Sequence, residues 1–179
     1  MAEAFINQVN RAVGIVTSSS NASIGVGLTW MSGISTAHVA INDLVDNANF
    51  IAGTKGTLVG VSSVQLDRAS TNTVAATASN VSFLGPTTSY TSASATKSIL
   101  IGGTFANNTA NSVNLTVTVY DNSATTESQL AAKIPVPTGS SFVISDAGKT
   151  VLEGDDEVRV YCDTENAIDV NLSILKGVS

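Results

Sequence analysis

Period-two alternation of apolar and polar residues runs through the second half of the chain, and it restricts the fold more than any other feature. Val113, Leu115, Val117 and Val119 share one face of an extended segment, with Asn114, Thr116, Thr118 and Tyr120 on the other. Ile168, Val170, Leu172 and Ile174 repeat the pattern against Asp169, Asn171, Ser173 and Leu175. Val158, Val160 and Cys162 make a third such face, and Phe142 with Ile144 a fourth. One dry and one wet face per segment is the mark of antiparallel sheet. Cys162, on a dry face, reads as a small buried hydrophobe. Pro135 and Pro137 remove two backbone donors within three residues, which places them at a sheet edge or in a crossover loop.

The first half carries the same kind of signal more faintly. Ile24, Val26 and Leu28 alternate with Gly25, Gly27 and Thr29, and Thr36–Ile41 alternates around His38. Leu58–Val61 and Val64–Leu66 read as a hairpin around Ser62-Ser63, and Val81–Leu84 as a strand before Gly85-Pro86. Ser and Thr make up 44 of the 179 residues, which suits exposed pleated surface better than helix. At the N-terminus Phe5, Ile6, Val9 and Val13 fall near helical spacing, so residues 1–13 are expected as a short amphipathic helix or arm that needs a docking surface. Residues 86–97 are polar and follow Gly-Pro, the composition of a linker.

The expected class is therefore all-β. Two small antiparallel sandwich or barrel-like modules occupy 14–85 and 98–179, the arm lies at 1–13 and the linker at 86–97. Modules of this size bury modest cores. With only 12% charged residues the surface repels itself weakly, which suits a subunit covered by copies of itself.

Composition excludes several classes of function. A net charge of −6 argues against a nucleic-acid partner. One cysteine, Cys162, permits no internal disulfide, and one histidine, His38, leaves neither a zinc-ligand spacing nor an evident triad. No apolar run reaches membrane-spanning length, and the first residues lack the basic start of a signal peptide. The glycines at 25, 27, 102 and 103 lack the strand–turn–helix setting of a phosphate loop. Eight of the 14 acidic residues lie between Asp146 and Asp169, and Glu153-Gly-Asp-Asp-Glu157 lacks the spacing of a calcium loop. Gly154 is expected to take positive φ in a turn. No catalytic residue, cofactor or metal is expected. The candidate assembly contacts are Phe5, Ile6 and Val9 on the arm, with Trp30 and Met31 as a second apolar anchor of a kind enriched at interfaces. Tyr90, Tyr120 and Trp30 are the raw material for a glycan-binding groove.

Two stretches resemble proteins of tailed bacteriophages. Ile41-Asn-Asp-Leu-Val-Asp-Asn-Ala-Asn-Phe-Ile-Ala-Gly-Thr-Lys, followed by Leu58-Val-Gly-Val-Ser-Ser-Val-Gln-Leu-Asp, resembles a repeat of phage tail fibres. Ala52 stands there in place of the repeat's usual proline. Residues 98–176, with Ile99-Leu-Ile-Gly-Gly-Thr-Phe, Lys133-Ile-Pro-Val-Pro-Thr-Gly and Val151-Leu-Glu-Gly-Asp-Asp-Glu-Val-Arg-Val, are similar to β-sandwich modules in structural proteins of marine and cyanobacterial phages. The resemblance implies a virion building block, not an enzyme: a head decoration or a neck or tail accessory protein. It would be made in the host cytoplasm and partnered by other virion proteins and by its own copies. A receptor-binding fibre or adhesin module that grips glycan is the competing expectation.

Overall fold

The computed structural model describes residues 3–19, 22–74, 80–145 and 149–178. Among them the regular elements are all β-strands, so the class is all-β as the alternation predicts. In chain order they are β1 (Ala4–Val13), β2 (Ile15–Ser19), β3 (Trp30–Ser32), β4 (Leu44–Asp46), β5 (Gly56–Val59), β6 (Ser63–Leu66), β7 (Val81–Gly85) and β8 (Thr87–Thr91). There follow β9 (Lys97–Asn107), β10 (Val113–Asp121), β11 (Thr126–Val136), β12 (Ser141–Ile144), β13 (Thr150–Leu152), β14 (Glu157–Cys162) and β15 (Ile168–Val178). The chain divides into two compact units, one made of Met1–Gly14 with Thr87–Ser179 and one of Ile15–Pro86.

The larger unit is a sandwich. One sheet has the order β1-β15-β9-β12, with β13 also pairing β9; the other has the order β11-β10-β14-β8. Every pairing in both is antiparallel. With β12 and β13 counted as one broken strand, the unit shows eight strands among the described residues. Its first, eighth, third and sixth form one sheet, and its fifth, fourth, seventh and second the other. That is the strand order of a jelly roll. The inner faces meet in one core: Leu100 and Phe105 of β9, Ile168, Val170, Leu172 and Ile174 of β15, Leu115, Val117 and Val119 of β10, and Val158, Val160 and Cys162 of β14. Those of β10, β14 and β15 are the dry faces that the alternation marks; Leu100 and Phe105 of β9 join them. Pro135 lies on β11, an edge strand, where its missing donor breaks no ladder.

Residues 4–13 are strand, not helix, and pair with β15 from Ala4↔Lys176 to Val13↔Ile168. The spacing of Phe5 and Val9 fits either period, and a ladder of eight residue pairs on β15 supplies tertiary support that a lone short helix in water would lack. Residues 86–97 are not simply a linker, because Thr87–Thr91 pairs with β14. Its polar composition conceals a strand that turns hydroxyls inward: Tyr90 Oη lies 2.8 Å from Ser98 Oγ, Ser92 Oγ just past the strand lies 3.0 Å from the same atom, and buried Ser89 Oγ has no hydrogen-bond partner among the described residues.

The smaller unit holds two three-stranded sheets, β2-β7-β4 and β3-β6-β5. Its own core includes Ile24, Met31, Ile34, Phe50, Val64, Leu66, Val74, Val81 and Phe83. The hairpin at 58–66 forms as expected. Ile24–Leu28 does not become a strand. Gly27 takes a φ of 75° and Leu28 N–H closes a turn onto the Gly25 carbonyl, leaving only bridges at Ser23 and Ile24. The run around His38 is likewise turn rather than strand, and His38 is exposed. The 153–156 turn also departs from expectation. The positive φ falls on Asp155, at 67°, whereas Gly154 is needed because a Cβ there would lie 2.8 Å from Ala95 N.

Candidate assembly surface

On β1 the ladder sorts the three candidate anchors by parity. Phe5 and Val9 point away from the sandwich and are 78% and 58% exposed. Ile6 points inward and packs, half-buried, against the core. Among the described residues β15 is the only ladder partner of β1, so one long side of the strand leaves its backbone donors and acceptors unpaired.

The outer face of the same sheet continues from Phe5. Phe5 pairs with Leu175, Leu175 with Ile99, and Ile99 with Val151. The four side chains therefore form an apolar row across four strands, with Leu175 and Ile99 half-exposed and Val151 54% exposed. A parallel row reads Val9, Asn171, Thr104 and Val143, apolar at its ends and polar between. Between the rows lie Asn7, Ser173 and Gly102. A contiguous apolar row on an otherwise Ser-, Thr- and Asn-rich face is the kind of patch that marks an interaction surface.

Trp30 and Met31 are adjacent on β3 and face opposite ways. Met31 is fully buried in the core of the smaller unit and is removed as a contact candidate. Trp30 is 48% exposed, level with Gln65 of β6, which pairs in turn with Leu58 of β5. Of the other aromatics considered for a groove, Tyr90 is tied into the sandwich interior through Ser98, and Tyr120 lies beneath Arg159, whose Cζ is 3.9 Å from the ring centroid.

The richest set of polar side chains lies on the outer face of the other sheet of the sandwich. The Glu127 side chain, only 2% exposed, accepts hydrogen bonds from Thr118 and from Tyr161 at 2.9 Å, with Arg159 Nη1 3.9 Å away. Arg159 Nε donates to Glu157 Oε2 at 2.7 Å, and Thr88 donates to that same oxygen at 3.0 Å. Burial, reinforced by the charge of Glu127, pushes the Tyr161 phenol far up, so it stays a donor at any ordinary pH. Donors and acceptors match within this set, which fits a clasp between β10, β11 and β14. Two more carboxylates of the 153–157 turn are similarly engaged. Asp156 accepts from Asn122 N at 3.0 Å and Glu153 N at 2.8 Å, and Glu153 pairs with Lys97 at 3.1 Å. Among the described residues no three His, Cys, Asp or Glu side chains are grouped to hold a metal ion. Among them, too, no helix is long and apolar enough to cross a membrane.

Comparison with protein-family models, curated proteins and solved structures finds no match to the chain.

Proposed function

We propose that this chain is a non-enzymatic structural component of a tailed-phage virion, present in many copies as a head decoration or a neck or tail accessory protein. The observation that carries the reading is the open side of β1 together with the Phe5–Leu175–Ile99–Val151 row. An isolated protein gains nothing from a long unpaired edge beside an apolar row, and natural sheets usually block such edges. In a shell or tube the same feature is a joint, and modest contacts repeated by symmetry add up to a stable assembly. The jelly-roll strand order and the resemblance of residues 98–176 to phage sandwich modules support the reading, although fold alone does not assign a role. Quantitative mass spectrometry of purified particles tests it. The expected result is a copy number matching a symmetric ring or lattice, and absence from particles overturns it.

Trp30 favours one second reading, a glycan-gripping module. An exposed indole beside the Gln65 amide on a sheet face offers both stacking surface and a hydrogen-bonding group. A glycan array decides it. Hits abolished by Trp30→Ala support this reading, and a blank array rejects it.

A further inference from the structure

We infer that β1 pairs with β1 of a second copy of this chain, antiparallel and centred on Asn7, joining two sandwiches edge to edge through one continuous sheet. The inference deepens the proposed multi-copy assembly and rests on it for context, but it is carried by the residue order of the strand. Phe5, Asn7 and Val9 all face outward on β1, and exposed Glu3, just before the strand, and exposed Arg11, at the start of its bulge, flank them at either end. A two-fold axis through Asn7 sets each residue opposite the one whose number completes 14. Phe5 then meets Val9 of the other copy, Asn7 meets Asn7, and Glu3 meets Arg11. Both apolar residues find apolar partners, and both charges find the opposite sign, twice each by symmetry. A slip of two residues sets Phe5 against Arg11 or against Asn7 and separates the charges, so the order selects one register.

Other features of the strand agree. Among the described residues neither Glu3 nor Arg11 forms an ion pair within its own chain. The bulge on β1 lies between Asn10 and Val13, so the strand is regular from Ala4 to Asn10 and the Glu3–Arg11 pairs form at the ends of the seam, Arg11 at the start of the bulge. Opposed residues in an antiparallel pair lie on the same face, so the two outer faces become one surface and the Phe5 row continues onto Val9 of the second copy. A two-strand seam is small beside most stable interfaces, so the joint is weak alone and gains strength from further contacts in an assembly.

Charge swaps and cysteine placement test the register. In sedimentation at low salt, Arg11→Glu turns both attractive pairs into carboxylate pairs and weakens dimerisation about tenfold. Glu3→Arg does the same, and the double variant Glu3→Arg/Arg11→Glu recovers dimerisation to within about twofold of wild type. Under mild oxidation Asn7→Cys gives a covalent dimer on non-reducing gels, because opposed Cβ atoms lie about 5 Å apart. Val9→Cys gives none, its partner cysteine being displaced along the seam; buried Cys162 is the wild-type control. Dimers indifferent to the swaps, or cross-linking by Val9→Cys in place of Asn7→Cys, overturn this seam while leaving the virion reading standing. A wild type that stays monomeric at high concentration overturns the seam too, and the copy-number measurement judges the virion reading separately.

Discussion

Cys162 lies on the inner face of β14, level with Leu115 of β10, and is fully buried. Burial pushes its thiol up to about 11, so at neutral pH neither access nor ionisation favours reaction. A maleimide or disulfide reagent at pH 8 is expected to label the native protein far more slowly than the denaturant-unfolded one; equal rates would show that β14 opens freely. Asp43 shows burial acting on a carboxylate. Desolvation raises its pKa above the ordinary 3.8, and the Ala40 N–H, donating at 2.8 Å, only partly opposes this. The folded state therefore holds this proton more tightly than the unfolded chain. The cost of the buried charge is fully present at neutral pH and is relieved as pH falls through the raised value toward 3.8. Asp43→Asn keeps an oxygen acceptor and carries no charge. Its unfolding free energy relative to wild type should be most favourable at pH 7 and lose that advantage in acid. Gly14 is fixed by geometry, because its φ is 137° and a Cβ would lie 2.1 Å from the Thr164 carbonyl oxygen. Gly14→Ala should cost about 1–3 kcal/mol in chemical denaturation.

At the scale of single strands, burial separates stability from assembly. Leu172, at the inner face of β15, should lose about 2–5 kcal/mol of stability when cut to alanine. Phe5→Ala, on the outer face of β1, should change the unfolding free energy by less than about 0.5 kcal/mol. Its effect belongs to association, read by light scattering. Removing residues 1–13 no longer isolates docking, because it strips a strand from the sandwich and uncovers the edge of β15. Strands β10, β14 and β15 were legible in the sequence because apolar residues alternate with more polar ones along each, although the polar face is not uniformly wet: Thr116 and Thr118 of β10 and Tyr161 of β14 are buried. Strand β8 was not, because the side chains it turns inward, Ser89 and the half-buried Tyr90, carry hydroxyls that read as polar surface. On β1 the right residues were visible under the wrong period, since Phe5 and Val9 are four apart and four is compatible with both. Leu175 falls on the outer face by alternation, but its row with Ile99 and Val151 is hidden in the sequence because alternation advertises inward positions and not the register that joins outward ones. The available signal was the unbroken Ile99-Leu100-Ile101 and Ile174-Leu175 runs, where apolar residues fall on both faces and one face must seek cover.

At the scale of the whole molecule, each unit has its own core, and the smaller one is spliced into the chain between the first and second strands of the jelly roll. Replacing 15–86 by a flexible Gly/Ser connector of about twelve residues should leave a sandwich that still unfolds cooperatively in a thermal scan. A molten product would show that the sandwich depends on the inserted unit. The pairing of residue 4 with residue 176 also has a consequence during synthesis. On the ribosome β1 emerges first and waits for nearly the whole chain before β15 exists to receive it, so the jelly roll closes late. The inserted unit, which has a core of its own, is free to fold in the meantime. Through that interval β1 is bare along both sides, and crowded nascent chains on one message would meet through the same segment that the finished protein presents to its neighbours.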